Sequence, residues 1–269
     1  MPAFNLTSQL SLIEFLLMSS SILLIALAGN IINDIFDLKT DQIKQRDRPI
    51  TKQQISIKKA KTVYFVSNIL ALIIAIYLSI IISHWYLIVV ESSVVLLLYL
   101  YSKYLKSVPV VGNILVSILV SLSFLIVLFF DSNLNYIQHY DAFLWVVGYG
   151  VFAFWANLNR EWIKDIIDIK GDYAQNIMTL PILLGKSRMN SIIFISTVAL
   201  IISLLVGVKV YFQPSLNIML YLIFGICVPL VLVLFFISRK GTSVNYNTLS
   251  HIYKLTFLLG ICSLALFNL

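Results

Sequence analysis

The sequence predicts an all-α fold: a polytopic membrane bundle of eight transmembrane helices. Three observations carry that expectation. Of 269 residues, 60% are hydrophobic and only 12% are charged, against roughly 45–50% and about 25% in soluble chains. Mean hydropathy is +0.95. Apolar stretches recur along most of the length, each long enough to cross a hydrocarbon core roughly 30 Å thick. The runs are continuous, without the alternation of a membrane barrel. Disorder and an ordinary water-soluble domain are excluded.

In chain order the predicted spans are 10–36, 58–82, 85–104, 110–130, 141–167, 188–212, 216–238 and 247–267. The first ends in an acidic run beginning at Asn33-Asp34. The third carries Glu91 ten residues before Tyr101, and Asn113 follows Gly112 at the start of the fourth. The fifth bears Asn157, Asn159 and a second acidic run. The last two hold Cys227 and Cys262, which lie at no metal-like spacing and read as small core residues without a disulfide. No Pro/Gly/Ser linker or soluble insertion interrupts the spans, so 1–269 reads as a single domain. The longest polar stretches are 37–57 and 168–187. The N-terminus lacks a basic n-region and a small-residue cleavage site, so no signal peptide is expected.

The net charge of +7 would suggest a nucleic-acid partner in a soluble protein. Here eight Lys and Arg lie between Lys39 and Lys61, five lie between Arg160 and Arg188, and Lys103, Lys106, Arg239 and Lys240 complete the set on one side of the eight-span arrangement. Lys209 and Lys254 are the exceptions. The pattern reads as topology and lipid-headgroup contact, with no nucleic acid: these regions are cytoplasmic and both termini outside. The expected location is integral in the plasma (inner) membrane, multi-pass, with the active site facing the cytoplasm.

Eight of the twelve acids fall in two clusters: Asp34, Asp37, Asp41 and Asp47, then Glu161, Asp165, Asp168 and Asp172. In each, aspartates recur at i, i+3 and i+7, which on a helix stacks three carboxylates on one face over two turns. Asn30 and Glu161 extend the same faces by one turn. Like charges so placed repel unless cations intervene. A single cluster reads equally well as a solvated helix end; two of identical spacing on the same predicted side point to a site, since ionisable groups within spans mark function. The copies are 131 residues apart, consistent with a pseudo-repeat around a shared cavity. Hard carboxylate oxygens suit Mg²⁺, which shares its coordination shell with substrate phosphates. Facing triplets would hold Mg²⁺ around a diphosphate and let a carbon–oxygen bond ionise.

Basic residues beside the clusters fit that picture. Lys44, Arg46 and Arg48 follow the first, Arg160 and Lys164 interleave with the second, and Lys103 and Lys106 end a third helix near Tyr101 and Tyr104. Arg grips phosphate bidentately and Lys acts as a point charge. Glu91 either lines the cavity or pairs with another helix. Asn113 either meets the acceptor or supports helix backbone. Asn157 and Asn159 extend the polar floor. The three histidines are scattered and suggest no metal site.

The run from Asn33 to Pro49 resembles the first aspartate-rich motif of the UbiA superfamily of intramembrane prenyltransferases, Asn-Asp-x-x-Asp-x-x-x-Asp followed by Arg-Pro. Asp165, Asp168 and Asp172 resemble its second motif, and Tyr101 through Lys106 its Tyr/Lys motif. Arg160 through Asp172, with Thr179-Leu-Pro181 after it, is most similar to the digeranylgeranylglyceryl phosphate synthase branch. The resemblance implies a nine-helix bundle with a lateral opening to lipid, of which this chain lacks the first helix. It also implies Mg²⁺-dependent transfer of an isoprenoid chain from a prenyl diphosphate to a lipophilic acceptor. Asp34, Asp37, Asp165 and Asp168 are then the expected catalytic residues, joined as metal ligands by Asn33, Asp41 and Asp172. Lys44, Arg46, Arg48, Lys103, Lys106, Arg160 and Lys164 are the expected diphosphate ligands. Asn30, Tyr101, Asn113, Asn157 and Glu161 are expected in the substrate cavity. The acceptor is a prenylated glycerol phosphate or an aromatic ring of quinone biosynthesis. A cation transporter is the competing class, but it would set its acids nearer the midplane; a non-catalytic lipid-binding protein is the third.

Overall fold

The computed structural model describes residues 10–43, 48–130, 140–175, 177–209, 216–238 and 244–264. Among these there is no strand. Helix α1 (Leu12–Phe36) is followed by a short α2 (Leu38–Ile43), then α3 (Ile57–Ile82), α4 (Tyr86–Lys103), α5 (Val111–Leu125), α6 (Val127–Phe130) and the long α7 (Tyr140–Ala174). The second half comprises α8 (Leu180–Leu184), α9 (Lys186–Gly207), α10 (Leu216–Tyr221), α11 (Val228–Ser238) and α12 (Tyr246–Cys262).

Six of these segments are long and apolar enough to cross a membrane: α1, α3, α4, α7, α9 and Ile218–Ser238. The other two predicted spans are shorter or more polar. α5 breaks at Ile126 before α6 resumes the direction, and α12 has only 17 residues, including His251 and Lys254. Helix starts follow local chemistry. Ser11 and Glu14 form a reciprocal capping box on α1, and Ser56 and Asn245 cap α3 and α12 through side-chain oxygens. Between α10 and α11 the chain widens into a π-turn over Leu222–Cys227, just before Pro229. A proline ring clashes with the carbonyl four residues back, and the wide turn relieves that clash without breaking the helix.

Packing is inverted relative to a soluble protein. Large apolar side chains face outward, among them Leu23, Ile80, Ile195 and Phe224, while α1 and α3, packed together, bury small residues such as Ser21, Ala28, Ser67, Ala71, Ala75 and Ser79, with Ser21 donating to the Ala71 carbonyl. Small residues let helix backbones approach closely, which is how helices associate in lipid. One group of helices forms around α1, α3 and α4, and another around α7, α9, α11 and α12; α5 packs mainly on α7. The second group encloses a continuous apolar core of Ile163, Met189, Ile193, Leu230, Leu249 and Tyr253. Cys227 is buried as expected; Cys262 is exposed, because it falls on the outer face of α12, and both are free thiols.

Candidate active site

Between the two helix groups lies a cavity of about 780 Å³, walled by α1, α2, α4, α5, α7 and α12. α1 passes into α2 through Asp37, whose backbone stays helical (φ −82°, ψ −2°). The Asp37 N–H donates to the Asn33 carbonyl at 2.8 Å, and the Asp41 N–H donates to the Asp37 carbonyl at 2.8 Å. The helical path is therefore nearly continuous, and it carries Asn30, Asn33, Asp37 and Asp41 to the same cavity. α2 packs against α7 and buries Asp41. From the other side, α7 presents Asn157, Arg160, Glu161, Lys164, Asp165, Asp168 and Asp172. Two acidic rows far apart in sequence thus share one chamber.

Each row is already bridged by a polar partner from a third element. Lys106, in a one-turn 3₁₀ segment after α4, forms an ion pair with Asp37 and donates to Asn33 Oδ1 at 3.4 Å; Asn33 Nδ2 donates to Asp37 at 2.8 Å. Asn113, at the start of α5, donates to Asp165 Oδ2 at 2.9 Å, so its side chain serves the site. Its carbonyl accepts from Ser117 at 2.7 Å, and Ser117 accepts from Asn157 at 3.2 Å. Glu161 accepts from Lys164 at 2.6 Å and from Arg160 at 3.2 Å.

The turn that supplies Lys106 and Asn113 is strained and tightly fitted. Val110 has φ +70° and ψ −49°, with the Val111 N–H donating to the Pro109 carbonyl at 2.8 Å. This is a γ-turn of the rarer, strained hand, on a β-branched residue. Immediately after it, a Cβ on Gly112 would stand 2.8 Å from the Leu105 carbonyl oxygen and 3.1 Å from Lys106 Cα. Only glycine lets α5 begin so close to the Lys106 segment.

Some expected residues lie elsewhere. Asp34 is not on the cavity wall; its carboxylate sits 3.9 Å from Arg48 Nε, and Arg48 does line the cavity. Lys103 is exposed and rests over the rings of Tyr99 and Tyr104, because the end of α4 turns it away from the chamber. Lys44 and Arg46 lie outside the described residues. Tyr101, Asn30 and Asn157 all line the cavity. Sequence reasoning gave no site role to Thr40, Thr179, Ser250 and Lys254, which line it too. Lys254 was a topological exception, and a cation inside an apolar span is itself a signal of a polar interior.

The donor set suits a divalent cation shared with a ligand. Seven carboxylates and five cationic side chains line the cavity, so acid is in excess. Among the described residues, no three His, Cys, Asp or Glu side chains are gathered closely enough to hold a metal ion unaided. The facing carboxylates fit an ion held by one or two of them with phosphate oxygens completing its shell. Away from the acids the walls become apolar, through Ile25, Val94, Leu98, Leu119, Leu122 and Ile126. Ile22 lines the far end, 15 residues before Asp37 on α1, which corresponds to a depth of about 22 Å. Glu91 lies there, accepting from Ser21, with its other oxygen buried and unpaired.

The sequence profile of the UbiA prenyltransferase family matches residues 3–266. The chain belongs to the UbiA prenyltransferase family. It is 32% identical over 243 residues to digeranylgeranylglyceryl phosphate synthase of Methanobrevibacter smithii, covering 89% of this chain and 81% of that one. Its fold is similar to that of a UbiA homolog from Aeropyrum pernix (TM-score 0.72, 14% identity, 97% of this chain and 92% of that one). It also resembles a UbiA homolog from Archaeoglobus fulgidus solved with DMAPP and Mg²⁺ (TM-score 0.60, 16% identity, 98% and 91%). This UbiA-family protein is therefore an integral membrane enzyme, a prenyltransferase, as its paired acidic motifs led one to expect.

Proposed function

We propose that this chain catalyses Mg²⁺-dependent transfer of an isoprenoid chain from a prenyl diphosphate to a prenylated glycerol phosphate of the geranylgeranylglyceryl phosphate type. One observation supports it most: two acidic rows line a single chamber whose far end is apolar apart from Glu91, so a diphosphate head and an isoprenoid tail each meet matching chemistry. The similarity to digeranylgeranylglyceryl phosphate synthases supports the acceptor class. The metal residues would be Asn33, Asp37, Asp41, Asp165, Asp168 and Asp172, while Asp34 would act from behind by holding Arg48. When bound, Mg²⁺ supplies positive charge to the diphosphate leaving group.

The protein's own residues do the rest. Lys106, Arg48 and Lys164 hold diphosphate oxygens, and Lys106 exchanges its contact with Asp37 for one with the ligand. The apolar wall holds the tail so that the bond between the first prenyl carbon and the diphosphate oxygen can ionise away from water. The acceptor hydroxyl oxygen then bonds to that carbon and passes its proton to the released diphosphate. Asn113 fixes the orientation of Asp165 through their hydrogen bond. The basic clusters support a site at the cytoplasmic side of the plasma (inner) membrane, and the uninterrupted succession of spans supports a single transmembrane prenyltransferase domain over 1–269.

The test uses purified protein in lipid nanodiscs with radiolabelled geranylgeranyl diphosphate and geranylgeranylglyceryl phosphate. Labelled product should form with Mg²⁺ and vanish with chelator. Product in the presence of chelator overturns the metal mechanism. Product with hydroxybenzoate in place of the glycerol phosphate overturns the acceptor assignment.

A further inference from the structure

We infer that Lys254, with Ser250 one turn before it on α12 and Arg160 on the neighbouring α7, forms a second anion site that holds the phosphate monoester headgroup of the acceptor. The inference rests on the acceptor class proposed above. Five cationic side chains line the cavity, and four are bonded to acids: Arg48 to Asp34, Lys106 to Asp37, and Arg160 and Lys164 to Glu161. Among the described residues Lys254 makes no ion pair, and yet it lines the chamber. A lysine within an apolar helix is costly unless it meets a counterion or a watery cavity. Its side chain is exposed, so it stands at an opening of the chamber, where a lipid ligand would enter.

Helix register sets its level. α12 runs antiparallel to α7, with Phe257 packed on Phe152 (ring centroids 6.2 Å apart) and Ser263 hydrogen-bonded to Tyr149. That register sets Arg160 and Lys254 within about one helical turn of each other in depth. Arg160 uses one terminal nitrogen on Glu161 and leaves its Nε buried without a partner. Thr179, nine-tenths buried on the same cavity, likewise has an unpaired hydroxyl. Asp165 lies five residues further along α7 than Arg160, which is about 7.5 Å. A second anion held at the Lys254 level would be separated from the diphosphate held by the acidic rows. The acceptor hydroxyl would then lie between them, toward the donor carbon. Two anions sharing one cation set would repel; separate cations let both bind.

The test compares acceptors that differ only in the headgroup, geranylgeranylglyceryl phosphate and geranylgeranylglycerol, with geranylgeranyl diphosphate as donor. Nanodiscs of phosphatidylcholine keep bulk anionic lipid out of the measurement. For Lys254→Gln the KM for the phosphate acceptor should rise about 10–100-fold, as loss of a charge-assisted contact predicts. The donor KM should not follow it, and the preference for the phosphate over the neutral acceptor should collapse. Lys254→Arg should retain most of that preference, and Ser250→Ala should lose part of it with the charge intact. An unchanged acceptor KM in Lys254→Gln, or an equal loss with both acceptors, overturns the second anion site while leaving the enzyme's acceptor class standing. Wild-type protein that rejects the glycerol phosphate and prenylates an aromatic ring overturns the acceptor class, and the anion site with it.

Discussion

Adding one methyl group at Gly112 should disable the site from outside the chemistry. In Gly112→Ala the new Cβ would stand 2.8 Å from the Leu105 carbonyl oxygen and 3.1 Å from Lys106 Cα. Comfortable carbon–oxygen contacts begin near 3.3 Å, so the segment carrying Lys106 must retreat by about 0.5 Å. Both neighbours are backbone atoms, and no rotamer change can absorb the clash. Overpacking of this kind costs about 1–3 kcal/mol, or about 2–10 °C of thermal midpoint for a chain of this size. A misplacement of about 1 Å can cost 10²-fold in rate; half of that should lower donor kcat/KM by about tenfold. The control is Gly150→Ala on α7. Its Cβ would come closer still, 2.6 Å from Leu125 Cδ2 and 2.8 Å from Leu125 Cγ, but against a side chain that a rotamer change can move rather than against backbone, and away from the cavity wall. The assay is prenyl transfer per folded molecule in nanodiscs, with unfolding followed in parallel. Wild-type kcat/KM in Gly112→Ala, or a loss no larger than in Gly150→Ala, would refute the link between this close approach and Lys106.

Three other outcomes are expected. Lys106→Ala should lower kcat/KM by about 10²-fold or more, while Lys103→Ala, which removes a side chain resting on Tyr99 and Tyr104, should stay within about twofold; comparable losses would return Lys103 to the site. Val110→Gly should raise the thermal midpoint, because relief of about 1–3 kcal/mol of backbone strain exceeds the entropy glycine adds; a fall would show that Val110 is not strained. Ser21→Ala strands the buried Glu91 carboxyl and should cost about 1–3 kcal/mol, which Ser21→Ala with Glu91→Leu should largely recover; a double variant as unstable as the sum of the singles would contradict that pairing.

The sequence made the membrane class plain because span length and hydropathy are local quantities, and the acidic spacing made the metal-facing rows plain because a helix turns i, i+3 and i+7 to one side. Partners supplied from other helices were less visible. That Asp37 meets Lys106 and Asp165 meets Asn113 depends on how α4 and α5 are joined, and the strained Val110 and the close-packed Gly112 set that join. Asp34 shares the spacing of its row but not the cavity wall, because the row's face is wider than the chamber it borders. Lys103 and Lys106 are three residues apart, yet the chain leaves α4 between them and sends them in different directions. Lys254 was masked by the topology rule, which counts charges by loop and has no place for one inside a span.

The central claim is that the two acidic rows work as one site, and a double-mutant cycle on Asp37→Asn and Asp165→Asn tests it most directly. Both residues line the same cavity, and the substitutions keep side-chain volume while removing charge. Each single variant should lower kcat/KM for the donor by about 10²–10³-fold with Mg²⁺ present. Residues acting as a unit are strongly non-additive, so the double variant should lose little more than the worse single one. A double variant whose loss equals the product of the two would mean that the rows act independently, and would contradict a shared diphosphate site.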